Sequence, residues 1–356
     1  MNSVLPMPPG HETEMEAVLV ERPGAAALRR LPKPEPGPGE VLVRVGAAGI
    51  CGSDVEVLEG RRPPAYVRYP IVPGHEWAGT VEAVGSGVEN VEPGAAVVAE
   101  GFRSCGDCAR CREGRTNLCA ADYAETGFTH AGAFAEFVCV PAQLVHRLPP
   151  GTDLAAAAVL EPAACVACGL LEVDLHPGLS VAVVGAGTLG LLAVALLRLA
   201  SPTRLAVVGT RPDRLALARE LGAQETCDLR LEDPLEALGG EFDLVFEAAS
   251  RPEGAATAAG LARRGGTVVL EGISGASQPT IDPDPIVLGH LRVHGIFGAS
   301  RAAWRWVVEL FSSGQLDPSP LVTHRFSLPA FELAFDVLRS RDAGALKVEL
   351  VPGRGL

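Results

Sequence analysis

Four of the nine cysteines crowd into one short stretch, Cys105-x2-Cys108-x2-Cys111-x7-Cys119. Four thiolates at this spacing can reach a tetrahedron around one zinc and leave no open position, which makes such a site structural. Binding would order a long loop that has little apolar material of its own, and structural zinc can contribute on the order of 10 kcal/mol to such a lobe. Two disulfides are the rival reading. They fit a large chain without a secretory signal poorly: Met1 to Glu16 has no continuous apolar stretch and no basic start. The expected compartment is the cytoplasm.

A second set of chemically capable residues is scattered. Cys51 opens Cys51-Gly52-Ser53-Asp54, His75-Glu76 follows Gly74, and Glu161 opens Glu161-Pro162-Ala163-Ala164. One soft thiolate, one imidazole and one carboxylate form a three-ligand zinc site with room for water or substrate. An isolated His or Cys is usually packing, so the weight lies on the whole pattern. Cys165-x2-Cys168 is read as small buried thiols on an Ala-rich helix, not as ligands.

The third feature is a strand running into glycines and then a helix: Val181–Val184, then Gly185-Ala186-Gly187-Thr188-Leu189-Gly190. Gly185 permits the tight turn, Gly187 lets backbone approach a pyrophosphate, and Gly190 lets helix and strand pack closely. The helix N-terminus offers N–H groups and a positive dipole to the phosphates. An NAD site wants a carboxylate about 20 residues on, to hold the ribose hydroxyls. Here, at 209 − 190 = 19 positions after Gly190, stands Gly209, followed by Thr210 and Arg211. Losing the carboxylate removes repulsion toward a 2′-phosphate, and a hydroxyl with a guanidinium supplies donors for one. The expected cofactor is therefore NADP(H), with NAD(H) as the alternative. Asp213 is read as starting the next helix.

These features need elements to hold them, and the chain shows two textures. Residues 17 to about 155 are rich in Pro and Gly, with short alternating strands such as Val41–Val45 and Gly79–Val84. From about 160 to 297, apolar strands (Val181–Val184, Leu205–Val208, Leu244–Phe246, Val268–Leu270, Val293–Ile296) alternate with helices at about 188–200, 212–221 and 254–263. That alternation means a parallel sheet covered on both faces, an α/β fold. The tail carries two amphipathic helices, Trp304-Val307-Val308-Phe311 and Phe331-Ala334-Phe335-Leu338 at i, i+3, i+4, i+7, and a last strand Leu346–Val351. The apolar run Val181–Leu199 is long enough to suggest a membrane span, but its three glycines divide it into strand, turn and helix. A net charge of −13, from 43 acids against 30 bases, disfavours nucleic acid and anionic membrane as partners.

Taken together these residues resemble the medium-chain zinc alcohol dehydrogenase family, and most of all its sorbitol and threonine dehydrogenase branch. Gly74-His75-Glu76, the four-cysteine loop, Glu161-Pro162, the glycine turn and Leu321-Val322-Thr323-His324-Arg325-Phe326 occur in family order from about Met15 to Val351. The resemblance implies a GroES-like catalytic domain over residues 1–157 and 298–356 and a Rossmann domain over 158–297. It implies two zinc ions per chain, the catalytic one held by Cys51, His75 and Glu161, with Glu76 able to enter or leave its coordination. Asp54 would orient His75 through its second ring nitrogen, and Ser53 would accept the substrate hydroxyl proton. The Gly209–Pro212 turn is similar to that of the family's NADP-dependent secondary alcohol dehydrogenases. One departure is Glu56, five residues after Cys51, where relatives often carry a proton-passing histidine; Glu56 is open to relaying protons or binding a polar substrate.

The expected activity is hydride transfer between NADP(H) and a secondary alcohol or ketone, with a polyol, amino-cyclitol or sugar-like substrate favoured by the polar residues Ser53, Glu56 and Glu76. The rivals are the same chemistry with NAD(H) on a simple secondary or amino alcohol, and a catalytically silent dinucleotide-binding protein. By the resemblance the chain is a homo-oligomer, dimer or tetramer, meeting through the edge strand near Val293–Ile296.

Overall fold

The computed structural model describes residues 13–273, 281–340 and 344–352. The chain divides into two compact units, residues 1–161 with 318–356, and residues 162–317.

The first unit is β-rich. Its main sheet runs Val322–Ser327, Lys347–Val351, Glu40–Ile50, Glu76–Val84, Ala96–Ala99, Val145–Arg147, and Phe137–Pro141 also pairs with Glu40–Ile50. All pairings are antiparallel except the two C-terminal strands. Apart from it, Glu14–Arg22 and Ala25–Pro32 form a two-stranded ribbon. The alternating residues of Glu40–Ile50 bury Val41, Val43 and Val45, and with Trp77, Phe134 and Phe335 these belong to one core. The central strand therefore fixes Cys51 at its very end, with Glu76 directly across from Gly49.

The second unit is a six-stranded parallel sheet in the order Glu225–Asp228, Arg204–Gly209, Ser180–Val184, Phe242–Glu247, Ala262–Leu270, Arg292–Gly295. In chain order that is 3-2-1-4-5-6, the doubly wound dinucleotide-binding arrangement. The inner strands are covered on both faces and so read as apolar runs: Val181, Ala182, Val183 and Val184 are all buried. The run Val181–Leu199 is a strand, a turn and the helix Thr188–Leu197. No helix among the described residues is long and apolar enough to cross a membrane.

Two details differ from the sequence reading. The unit boundaries fall after Glu161 and Asp317, not after residues 157 and 297. The helix Arg301–Ser312 belongs to the parallel-sheet unit because its neighbourhood is tied there, with Arg198 donating to the Gln315 carbonyl at 3.0 Å and Ser300 hydrogen-bonding Cys168. Ser300 caps this helix by accepting from the Ala303 N–H, but its buried stripe is Ala303, Trp304, Val307 and Leu310.

Candidate active site and cofactor site

Cys51 sits where the strand Glu40–Ile50 gives way to the helix Gly52–Glu59 and is that helix's N-cap. The third helical residue, Asp54, accepts the Cys51 N–H at 2.8 Å with one carboxylate oxygen and the Gly74 N–H at 3.3 Å with the other. One fully buried carboxylate thus ties the loop bearing Cys51 to the loop bearing His75. The result is a close group: one ligand atom each from Cys51, His75 and Glu76, all within 4.8 Å of one another. Around zinc with bonds of about 2.0–2.3 Å, donor atoms lie roughly 3.3–3.8 Å apart, so small side-chain adjustments suffice.

The electrostatics also suit a cation. Burial disfavours charge on His75, yet Asp54, Cys51 and Glu161 outweigh it and raise its pKa well above 6.5. His75 Nδ1 lies 3.5 Å from Asp54 Oδ1, an ion-pair distance without hydrogen-bond alignment. Groups that favour imidazolium favour a metal ion in the same place. Glu161 is buried in the first turn of the helix Leu160–Leu171 and acts electrostatically on His75, but it is not one of the three residues in the close group. Ser53 is half-buried in the first turn after Cys51. Glu56 is turned to Arg61, 3.8 Å away.

Two features had escaped the sequence reading. Lys347 is buried and its ammonium is 2.5 Å from Glu76 Oε2; its one sequence signal is a lysine two residues from a glutamate, Glu349, in an otherwise apolar strand. Glu125 is buried too, receives the Tyr123 hydroxyl, and lies 3.8 Å from Arg62. The Arg62 guanidinium covers the Phe128 ring at 3.6 Å, and that ring is 4.7 Å from the His75 imidazole. Burial pushes the Glu125 carboxyl up to about 8. Nothing in the spacing of this loop announces it.

The cysteine lobe is built differently. Its four sulfurs also lie within 4.8 Å of one another, with Cys105 and Cys111 sulfurs at 3.9 Å, close to the roughly 3.8 Å edge of a zinc tetrathiolate. None of the nine cysteines is joined in a disulfide. Backbone N–H groups point at sulfur: Cys105 to Cys119, Cys108 to Cys105 and Ala120 to Cys108, at 3.3, 3.4 and 3.4 Å. The Ala120 N–H leads in holding Cys108 down to about 6, while burial and neighbouring thiols push Cys111 up to about 12. Such a cluster cannot carry four negative charges without a cation in its centre. Cys165 and Cys168 lie on the helix Leu160–Leu171, outside both groups.

In the second unit the glycine turn has the expected form. Gly185 has φ +109°, and a Cβ there would come within 2.8 Å of Ala248 and Ala249 backbone. A Cβ at Gly190 would run into the Gly185 carbonyl, whereas at Gly187, the N-cap of Thr188–Leu197, it would meet open space. The strand and helix are thus locked together and the N-terminus is left accessible. At Gly209 a Cβ would press on Ala186 and Leu215 at 2.9 and 3.0 Å, so a carboxylate side chain is sterically discouraged. Thr210 follows, and Arg211, the N-cap of Pro212–Glu220, forks onto Asp213 at 3.2 and 3.0 Å. Arg214 lies close enough to Arg211 to feel its charge, and Arg230 pairs with Asp228, which stands opposite Gly209 in the sheet.

Residues 37–150 match the alcohol dehydrogenase GroES-like domain and residues 188–313 match the zinc-binding dehydrogenase domain. An L-threonine 3-dehydrogenase of Bacillus velezensis is 37% identical over 95% of this chain and 99% of its own length. The chain belongs to the medium-chain zinc alcohol dehydrogenase family. This family member also superposes on a Sinorhizobium meliloti structure bound to NADP, with TM-score 0.87, 34% identity, and 96% and 100% of the two chains covered. A second match is an E. coli CFT073 alcohol dehydrogenase complexed with NADH, with TM-score 0.88, 29% identity, and 95% and 99% covered. The GroES-like and Rossmann assignments of the two units follow from these matches, and the chain is an enzyme of the zinc-dependent alcohol dehydrogenase class.

Proposed function

We propose that this dehydrogenase oxidises a secondary alcohol to a ketone, and reverses the reaction, with NADP(H), using one catalytic and one structural zinc per chain. The observation that carries the reading is the close group of Cys51, His75 and Glu76, three donors from two separated stretches with a negative surround. Zinc held there by Cys51 and His75, with the Glu161 and Glu76 carboxylates at hand, supplies Lewis acidity toward an alcohol oxygen. Ser53, two residues from Cys51, takes the hydroxyl proton. Asp54 keeps the Cys51 and His75 loops in register. The Gly185–Gly190 turn and the helix N-terminus at Thr188 and Leu189 would hold the dinucleotide phosphates, and the bound cofactor would supply hydride-accepting capacity. Cys105, Cys108, Cys111 and Cys119 hold the second zinc.

The choice of NADP(H) rests on Gly209, Thr210 and Arg211, with Arg214 and Arg230 adding positive charge. Asp213 and Asp228 already occupy two of these guanidinium groups, so a 2′-phosphate must exchange with them; this keeps NAD(H) as the alternative. The polar residues Ser53, Glu56 and Glu76 favour a polyol, amino-cyclitol or sugar-like alcohol, and the threonine dehydrogenase relative makes an amino alcohol a second class to test. Cysteines clustered for a metal rather than joined in disulfides suit a reducing, cytoplasmic setting. A homo-oligomer is supported by the sheet's outer strand Arg292–Gly295, around which Val287, Leu288, Val293 and Phe297 are exposed.

The test is zinc content together with alcohol-dependent NADPH formation across polyols, amino alcohols and secondary alcohols. Bound zinc with turnover on one class supports the reading. Dinucleotide binding without zinc or turnover leaves the catalytically silent alternative.

A further inference from the structure

Glu349 is fully buried, and neither carboxylate oxygen has a hydrogen-bond partner among the described residues. A buried carboxylate in this state demands an explanation, because leaving an acceptor unmade is costly. Its ion-pair partner among the described residues is Arg325, with Nε 3.7 Å from Oε2. Its place in the sheet is more informative. Glu349 stands opposite Gly49 on one side, and Glu76 stands opposite the same Gly49 on the other. Residues opposed across neighbouring strands share a face, so the two carboxylates flank one glycine. A Cβ at Gly49 would run into Glu76 Oε2, so the glycine leaves the middle of the row to the Glu76 side chain. Lys347 lies two residues before Glu349, on the same face, and its ammonium now rests on Glu76.

We infer that Lys347 and Glu349 are positioning residues that set how available Glu76 is to a metal ion, the buried Glu349 offering the Lys347 ammonium a second resting place. With the ammonium on Glu76, the carboxylate is neutralised and held back from the ion. When the ammonium swings to Glu349, Glu76 is free to ligate. Glu349 accepts in either protonation state, since a neutral carboxyl keeps its carbonyl oxygen. No bond is made or broken, and no other cation need enter the interior. The inference rests on the proposed metal site, and its test is built to fail separately from that site.

The measurement is the rate at which EDTA strips the ion that His75→Ala lacks, in the full-length zinc-loaded protein. Lys347→Met releases Glu76 to the ion and slows that loss, by about tenfold for a coupling of ordinary size. Glu349→Met removes the second resting place, leaves Lys347 on Glu76, and speeds the loss by a similar factor. Because Glu349 acts only through Lys347, adding Glu349→Met to Lys347→Met changes nothing further. Lys347→Arg, which keeps the cation, restores a rate near that of the unmodified protein and covers the case in which Lys347→Met fails to fold. An unchanged rate in Glu349→Met, or an equal effect of that change with and without Lys347, overturns the inference while leaving the metal site standing. If no ion distinguishes the wild type from His75→Ala, the metal site itself falls, and the inference with it.

Discussion

The two thiolate-bearing groups in the GroES-like unit solve one problem in opposite ways. The cysteine lobe draws four like donors from fifteen consecutive residues, 105–119, and surrounds them with backbone N–H groups of the same loop. The Cys51–His75–Glu76 group draws unlike donors from distant stretches and depends on the sheet to bring them together. In the proposed reading the first is closed and self-contained, and its loop would depend on the ion. The second is held by Asp54 and the strand register, and would leave chemistry to be done. Contiguity would then serve structure, and dispersal a reaction.

The largest effect that would sharpen this contrast comes from His75→Ala. Turnover should fall by about a thousandfold or more, since several kcal/mol of Lewis-acid stabilisation goes with the ion, while calorimetric NADP+ binding stays near wild type. Unchanged turnover would break the contrast at once. Cys111→Ser should act in the reverse sense. We expect about 3–5 kcal/mol of lost stability in chemical denaturation, from the metal-coupled folding of the lobe, with the ion at Cys51 and His75 retained. If both ions leave together, the two groups are not independent.

Arg211→Ala probes the parallel-sheet unit. It should weaken NADP+ by about ten- to a hundredfold and barely change NAD+, read as kcat/KM for each cofactor. Equal losses would make Arg211 a structural cap. The smallest effect belongs to neither metal group. Asp243 accepts the Ser180 N–H and hydroxyl at 2.8 and 2.7 Å and Arg263 Nε at 2.5 Å. Burial raises its pKa, but the Ser180 and Arg263 bonds prevail and leave it at about 2, below the ordinary 3.8. A depressed carboxylate stabilises the fold above pH 3.8 and loses that contribution as pH falls toward 2. Asp243→Asn should therefore remove roughly 1–2 kcal/mol at neutral pH and flatten the acid limb of a stability-against-pH curve.

The legible parts of the molecule are those that local physics dictates. The Gly185–Gly190 turn is readable because strand, glycines and helix are neighbours in sequence, and each glycine answers a crowding or an opening. Four apolar strands of the parallel sheet are readable because burial on both faces leaves no polar alternation, whereas the exposed outer strand Arg292–Gly295 is readable only through the short apolar stretch around Val293. The sixth, Glu225–Asp228, was missed: it is a short outer strand whose ends are charged and only Cys227 is a buried apolar residue. The stripe of the helix Arg301–Ser312 was read with Val308 and Phe311 where Ala303 and Leu310 are buried, since aromatics near a helix end look like core. Cys51 is separated in sequence from the pair His75-Glu76, yet each stretch carries a telling neighbour, Asp54 or Gly74. Glu125 carries none, and Lys347 and Glu349 carry only each other in an apolar strand, because their meaning lies in cross-strand partners and burial that no spacing encodes.

The most direct test of the account is the position of zinc by anomalous scattering in crystals of the metal-loaded protein. The account predicts two peaks per chain, one inside the cysteine lobe and one at about 2.0–2.3 Å from Cys51 Sγ and a His75 ring nitrogen. A single peak in the lobe, with nothing bonded to Cys51 and His75, would contradict it.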